Sequence, residues 1–196
     1  MELKDSCTLK NLMRAFAGEC QAQARYEMAA SAARREKLQC VEAVFRYTAG
    51  QEYEHAELLM NRIRAAGVDN IEITGGYPVD LQTDALSLLR TAHHNEFEEY
   101  RMIYPDFART AQEEGFADIA ALFDMLASIE QTHADRFDKL ASRIESGNLF
   151  TNPQEVAWVC LNCGYVFTGT EVPQKCPVCQ HDQGYYIREE YAPYSK

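Results

Sequence analysis

Residues 51–56 read QEYEHA, and how these six residues are read decides the fold. Between Val41 and Ala66 a helical apolar stripe passes through Phe45, Thr48 or Ala49, position 52, position 55, Leu59 and Ile63. Positions 52 and 55 are Glu52 and His55. A face that should enter a core therefore carries a carboxylate and an imidazole at its middle.

The same interruption recurs in three other stretches. From about Ala117 to Glu145 the stripe is Ile119, Leu122, Leu126, Glu130, His133, Phe137, Leu140 and Ile144. From Thr8, a reasonable N-cap, to about Arg35 it is Leu9, Leu12, Phe16, Glu19, Gln23, Tyr26 and Ala30. From near Thr83 to Glu114-Gly115 it is Ala85, Leu88, Ala92, Glu96, Glu99 and Ile103, and Pro105 should kink this helix or mark an irregular turn. The QEYEHA helix itself spans roughly Gln39 to Ala66 and stops at Gly67. Short links at 36–38 and 115–116 join neighbours. The connector VDNIEITGGYPVDLQ, with Gly75-Gly76 and Tyr77-Pro78, is not helical throughout and serves as the one long crossover. The expected fold of residues 1–146 is an all-α, ferritin-like four-helix bundle.

Residues three apart on a helix differ by ~60° in direction and ~4.5 Å in rise, so Glu-x-x-His aims both heads at one point. A single such pair is usually a solvated face. Two Glu-x-x-His pairs, one Glu-x-x-Glu and a lone Glu, all mid-helix and in phase, require another explanation. Unpaired buried carboxylates are costly or take up protons. A dinuclear metal centre removes the difficulty, because five Glu and two His bring charge that roughly balances two irons. Oxygen and imidazole ligands suit iron or manganese. Glu54, Glu57 and Glu98 fall off the stripes and are read as solvated.

Composition changes near residue 147. ESGNLFTNPQE reads as a helix stop and a linker (147–156), with Gly147 at the C-cap and Pro153 beyond it. Residues 157–196 form a small second domain of short alternating stretches, WVCLNCGYVF and GYYIREEY, too small to fold on an apolar core alone. Cys160, Cys163, Cys176 and Cys179 form two C-x-x-C pairs with twelve residues between them. Such paired knuckles make a tetrahedral thiolate site for zinc or a single iron. Trp158, Tyr165, Phe167, Tyr185 and Tyr186 would shield that site and form the module's core. Of the seven cysteines, Cys7, Cys20 and Cys40 remain; they are read as buried thiols without a role.

The net charge of −11 argues against a nucleic-acid partner. No apolar run approaches the ~20 residues of a membrane span, and MELKDSCTLK lacks the apolar region of a signal peptide, so a cytoplasmic protein is expected.

With these motifs in hand, the chain resembles the rubrerythrin family over nearly its whole length. The matching stretches are FAGECQAQARY, QEYEHAELL, NEFEEYRMIYPDFAR with EEGF, IEQTHADRF, VCLNCGYVF and CPVCQ. The resemblance implies a non-haem diiron (Fe–O–Fe) centre held by Glu19, Glu52, His55, Glu96, Glu99, Glu130 and His133, with Glu52 and Glu130 bridging. It implies that Glu99 and His55 exchange on one iron as the centre is reduced. Tyr26 and Tyr104 match tyrosines near the family's cluster. The four clustered cysteines would hold one rubredoxin-type iron, Fe(Cys)4. The implied activity is reduction of hydrogen peroxide to water, protecting against oxidative stress. Electrons would pass through the thiolate iron from a rubredoxin or an NAD(P)H-dependent reductase. A homodimer, or a higher homo-oligomer, is implied, with one subunit's rubredoxin-like domain near the other's diiron site. Cys20, directly after Glu19, departs from the small or polar residues usual there. Rival readings are a ferroxidase or iron-handling protein, and a non-enzymatic metal-binding bundle with a structural zinc knuckle.

Overall fold

A computed structural model describes residues 1–192. Its helices are α1 (Cys7–Arg35), α2 (Gln39–Arg64), α3 (Ala85–Glu98), α4 (Tyr104–Glu114) and α5 (Ala117–Glu145). A five-residue π turn, Glu99–Ile103, joins α3 to α4, so the two act as the third long helix of a four-helix bundle. The connector after α2 has no regular structure among the described residues and returns the chain to the end where α2 began. Tyr77 Oη donates to Arg14 O, Arg14 Nε donates to Thr74 O, and Arg25 pairs with Asp80 at 3.3 Å; these contacts strap the connector to α1.

The helix ends follow from local chemistry. Ser6, not Thr8, caps α1, with its Oγ accepting from Leu9 N–H. The N–H groups of Cys7 and Thr8 donate to the Glu114 carboxylate at 2.9 and 2.7 Å, so the end of α4 supplies the anion that the first turn of α1 favours. Asp84 caps α3 through Ser87 N–H. Gly115, at φ 89°, adopts the left-handed conformation that stops α4.

Two apolar clusters fill the bundle. One contains Tyr26, Phe45, Leu89, Phe137 and, from α1, Ala22, Ala29, Ala30, Ala32 and Ala33. The other contains Leu12, Leu59, Tyr104, Phe123 and Leu126. Each long helix passes from one cluster to the other, and the buried Glu and His positions lie at the crossing.

The irregularity expected at Pro105 is the π turn. Tyr104 N–H bonds to Glu99 O, five residues back, and Pro105 follows it without an N–H to place. The extra residue shifts the helical phase, so Ile103, read as part of the stripe, is 40% exposed while Tyr104 is buried. Two further expectations need correction. Phe16 and Gln23 are only half-buried. Of the three thiols read as buried, Cys40 is, whereas Cys20 is half-buried and Cys7 is exposed on the first turn of α1.

The small domain is an antiparallel sheet of order β2-β1-β3, built from β1 (Thr151–Cys160), β2 (Val166–Glu171) and β3 (Tyr186–Arg188). β1 begins inside the stretch read as linker. Residues 193–196 of the second domain lie outside the described residues. Trp158, Val172 and Tyr186 form the small core, and Trp158 Nε1 donates to Gly169 O at 3.0 Å. Ile187 enters the first bundle cluster beside Leu149, Phe150 and Leu161. Gly184 lies against the α1–α2 turn so closely that a Cβ there would be 1.9 Å from Lys37 O.

Gly184→Ala should therefore lift the small domain from its seat. We expect a loss of about 1–3 kcal/mol, the usual cost of overpacking, read from the denaturation midpoint. An unchanged midpoint would mean that this contact does not seat the domain.

Candidate metal centre

α1 contributes Glu19, α2 contributes Glu52 and His55, α3 contributes Glu96, and α5 contributes Glu130 and His133; all six are buried. His55 Nδ1 lies 3.0 Å from Glu52 Oε2, 3.3 Å from Glu130 Oε1 and 3.5 Å from Glu19 Oε2. His133 Nδ1 lies 2.8 Å from Glu130 Oε2, 3.0 Å from Glu52 Oε1 and 3.9 Å from Glu96 Oε2. Two tetrads result: Glu19, Glu52, His55 and Glu130; and Glu52, Glu96, Glu130 and His133. Glu52 and Glu130 each give one oxygen to each tetrad. The two imidazoles stack with centroids 5.7 Å apart.

The fit to metal can be judged atom by atom. Glu19 Oε2, both oxygens of Glu52 and of Glu130, Glu96 Oε2 and the Nδ1 atoms of both histidines are buried without a hydrogen-bond partner. These eight atoms are the eight that face the two tetrad centres. They are close enough for ion pairing but not aligned for hydrogen bonds. Ligands at ~2.1 Å from one ion stand ~3 Å apart at right angles, which is the spacing seen. The two remaining terminal oxygens are occupied: Tyr26 Oη donates to Glu96 Oε1 and Tyr104 Oη to Glu19 Oε1.

Electrostatics describe the same demand for positive charge. Burial, then the charge of neighbouring carboxylates, raises Glu19 and Glu96 well above the usual range. Burial alone would lower His55, but Glu130, Glu19 and Glu52 outweigh it and hold the imidazole up to about 12. His133 is likewise raised to about 9 against its burial by Glu52 and Glu130. Glu52 is the exception: the two histidines overcome the effect of burial and hold it at about 2. Burial and the adjacent carboxylates push Tyr26 and Tyr104 well up, so both remain phenols. In a metal-free chain, protons take the place that cations would fill.

Glu99 stands outside both tetrads. It is half-buried at the start of the π turn and is raised to about 8 by burial, then by Glu130 and Glu52. It lines a cleft of about 950 Å³ with Glu19, Asn95 and Tyr104; the connector residues Gly75 to Pro78 form the opposite wall. This cleft reaches the tetrad that contains His55. Of the nine bundle residues singled out from sequence, eight thus meet at the centre, with Glu99 beside it.

The sequence pattern assigns no role at the site to Arg25, Thr48, Gln51 or Arg136. Arg25 is buried, and its charge pulls Glu99 down against the carboxylates around it. An arginine between an alanine and a tyrosine on a helix carries no signal of burial by itself. Gln51 and Arg136 lie behind His133, and one helical turn outward from the ligand pairs, three residues past His133 and four before His55, reaches both.

The four cysteine sulfurs also converge. Cys160 and Cys179 are 3.8 Å apart, and Cys163 and Cys176 are 3.7 Å apart. A tetrahedral ion with ~2.3 Å bonds to sulfur has edges of ~3.8 Å. The two knuckles repeat one design. Gly164 N–H bonds Cys160 O at 2.8 Å and Gln180 N–H bonds Cys176 O at 2.9 Å. Both Gly164 and Gln180 take positive φ, 77° and 62°. The backbone of His181 lowers the Cys179 thiol to about 6, whereas burial raises Cys160 to about 12.

Comparison with known proteins agrees with this two-part layout. Residues 10–141 match the family described as rubrerythrin, and residues 158–187 match the rubrerythrin rubredoxin-like domain. The chain is 43% identical to a rubrerythrin of Clostridium perfringens, covering 96% of this chain and 98% of that one. It superimposes on fully reduced, all-ferrous nigerythrin with a TM-score of 0.63 at 28% identity, over 95% of this chain and 91% of that one. A bacterioferritin of Desulfovibrio desulfuricans, at 22% identity and a TM-score of 0.67 over 75% of this chain and 85% of that one, shares the bundle fold. With a diiron-type carboxylate and histidine site in a ferritin-like bundle, and a four-cysteine site in a rubredoxin-like domain, the chain belongs to the rubrerythrin family.

Proposed function

We propose that this oxidoreductase reduces hydrogen peroxide to water at a diiron centre held by Glu19, Glu52, His55, Glu96, Glu130 and His133, with Glu99 as the exchangeable seventh ligand. The observation that carries the reading is the set of eight buried, unbonded ligand atoms divided between two tetrads that share Glu52 and Glu130. When bound, the two irons supply the two electrons that cleavage of the O–O bond requires.

The chain's own groups do the rest. Glu52 and Glu130 span both positions and set the distance between them. Tyr26 and Tyr104 hold the outer oxygens of Glu96 and Glu19, leaving one oxygen of each free to ligate. The cleft gives a small polar oxidant a path to the face where Glu19, Glu99 and Tyr104 meet. His55 within a tetrad and Glu99 outside it supports assigning these two residues as the pair that exchange on reduction.

The four cysteines would hold the iron that returns electrons, drawn from a rubredoxin or an NAD(P)H-dependent reductase. The small domain is seated at the α1–α2 turn, and Glu19 lies sixteen residues before Arg35, the end of α1. That is ~24 Å along the helix axis. A separation of this size supports a homodimer in which the partner's cysteine site serves this chain's centre. Among the described residues, no helix is long and apolar enough to cross a membrane. We place the protein in the cytoplasm, and assign residues 1–146 and 157–196 to its two domains.

Anaerobic reduction of the iron-loaded protein, followed by titration with peroxide and separately with oxygen, tests the reaction. Rapid stoichiometric oxidation by peroxide is expected; a centre that responds only to oxygen would refute the reading. Glu52→Ala should reduce turnover by more than the ~10–100-fold that loss of an outer-sphere partner costs. Cys160→Ser should allow one round of peroxide consumption by a pre-reduced centre while abolishing sustained turnover. Full steady-state rates in that variant would rule out the internal relay.

Protons and metal compete for the same atoms. In metal-free protein the raised groups, Glu99 at about 8 and His133 at about 9, favour folding while protonated. That stability is lost as pH rises through those values, so the melting temperature of stripped protein should fall between pH ~6 and ~9. Metal affinity should rise over the same interval, because ligation needs the deprotonated atoms. Calorimetry of stripped and loaded protein checks both signs.

A further inference from the structure

Gln51 opens the QEYEHA stretch and belongs to neither tetrad. Its Oε1 lies 3.2 Å from His133 Nε2 and accepts from Arg136 Nη1 at 2.9 Å. The same Arg136 nitrogen donates to Thr48 Oγ1 at 2.9 Å, and the guanidinium lies over the Tyr47 ring, 5.2 Å from its centroid. Thr48 and Gln51 stand on α2, one turn from Glu52 and His55. Arg136 stands on α5, three residues beyond His133.

These contacts fix the role of each atom in turn. A guanidinium offers donors only, so the Gln51 atom it meets is the carbonyl oxygen and not the amide nitrogen. That oxygen can only accept, so the proton between it and the imidazole resides on His133 Nε2. A neutral imidazole protonated at Nε2 has its lone pair on Nδ1. Nδ1 is the atom that His133 contributes to the second tetrad.

We propose that Gln51, locked in orientation by Arg136, is a positioning residue that fixes the His133 tautomer and aims Nδ1 at the second metal position. The inference rests on the metal-site reading above and adds an asymmetry to it. Among the described residues, none hydrogen-bonds His55 Nε2. One imidazole is tethered from behind, and the other is held only by what its Nδ1 meets. The half-buried Arg136 guanidinium is within electrostatic reach of Glu52, Glu96 and Glu130 and adds a fixed positive charge on the His133 side. The second position is therefore the rigid one.

Titration of the full chain with cobalt(II), followed by its visible ligand-field bands, tests this without any redox step. Cobalt bound to thiolate is separated by its near-ultraviolet charge-transfer bands. Gln51→Leu should weaken one of the two bundle positions ~10–100-fold and leave the other within ~3-fold, and Gln51→Glu, which keeps an acceptor, should restore the first. Equal affinities, or equal losses at both positions, overturn the positioning role and leave the metal site standing. A parent chain that binds no cobalt in the bundle overturns the site and this inference together. A measurement on the unaltered chain is independent of any folding defect. In zinc-loaded, nitrogen-15-labelled protein, His133 should show a protonated Nε2 and a metal-bound Nδ1, and an unprotonated Nε2 would overturn the proposal.

Discussion

Carboxylates withdrawn from water without hydrogen bonds cannot all stay ionised unless cations sit among them. That constraint organises the bundle. The layer of Glu19, Glu52, Glu96 and Glu130 with two histidines divides the interior, so each long helix needs apolar residues on both sides of it. α1 runs from Leu9 and Leu12 through Glu19 to Tyr26 and Ala30; α2 runs the other way, from Val44 and Phe45 through Glu52 and His55 to Leu59 and Ile63. Helices of ordinary length could not bury both flanks, which is why α1 and α5 each extend over 29 residues. The flanking aromatics, Phe45 and Phe137 on one side and Phe123 on the other, keep the layer dry and so strengthen each interaction within it.

The stripes were legible because the polar positions break an otherwise regular 3.6-residue pattern in four helices at equivalent depth. Glu52, His55, Glu130 and His133 could be found from spacing alone, and their convergence follows from helix geometry. The cysteine pairs were legible for a different reason: each knuckle is local, so a few residues determine it. What could not be read was phase after an interruption. Ile103 extrapolates onto the stripe and sits outside it, since no residue between 99 and 103 announces a π turn. Burial of Arg25 depends on Asp80 in a connector whose path sequence does not give. Cys7 is exposed because it is the first residue of α1, and the usual preference of a thiol for burial carries no information about that position. The seating of Gly184 on Lys37 is a contact between distant segments with no periodic signature.

The two metal sites thus depend on the chain at different scales. The thiolate site is assembled within some twenty residues by two tight turns, and the sheet around it is too small to stand without it. The bundle site draws on positions from Glu19 to His133 and exists only when four helices have found their register. A local defect in the small domain can leave the carboxylate layer intact. A shift of any long helix removes at least one ligand atom from it.

The π turn has a consequence for how this sequence can vary. Because Tyr104 N–H reaches back five residues instead of four, the number of residues from Glu99 to Tyr104 carries information that their identities do not. Arg101 and Met102 are exposed, and other side chains could stand there. Removal of one residue would restore a regular helix and swing the Tyr104 hydroxyl ~100° away from Glu19. This segment tolerates a change of letters far better than a change of length.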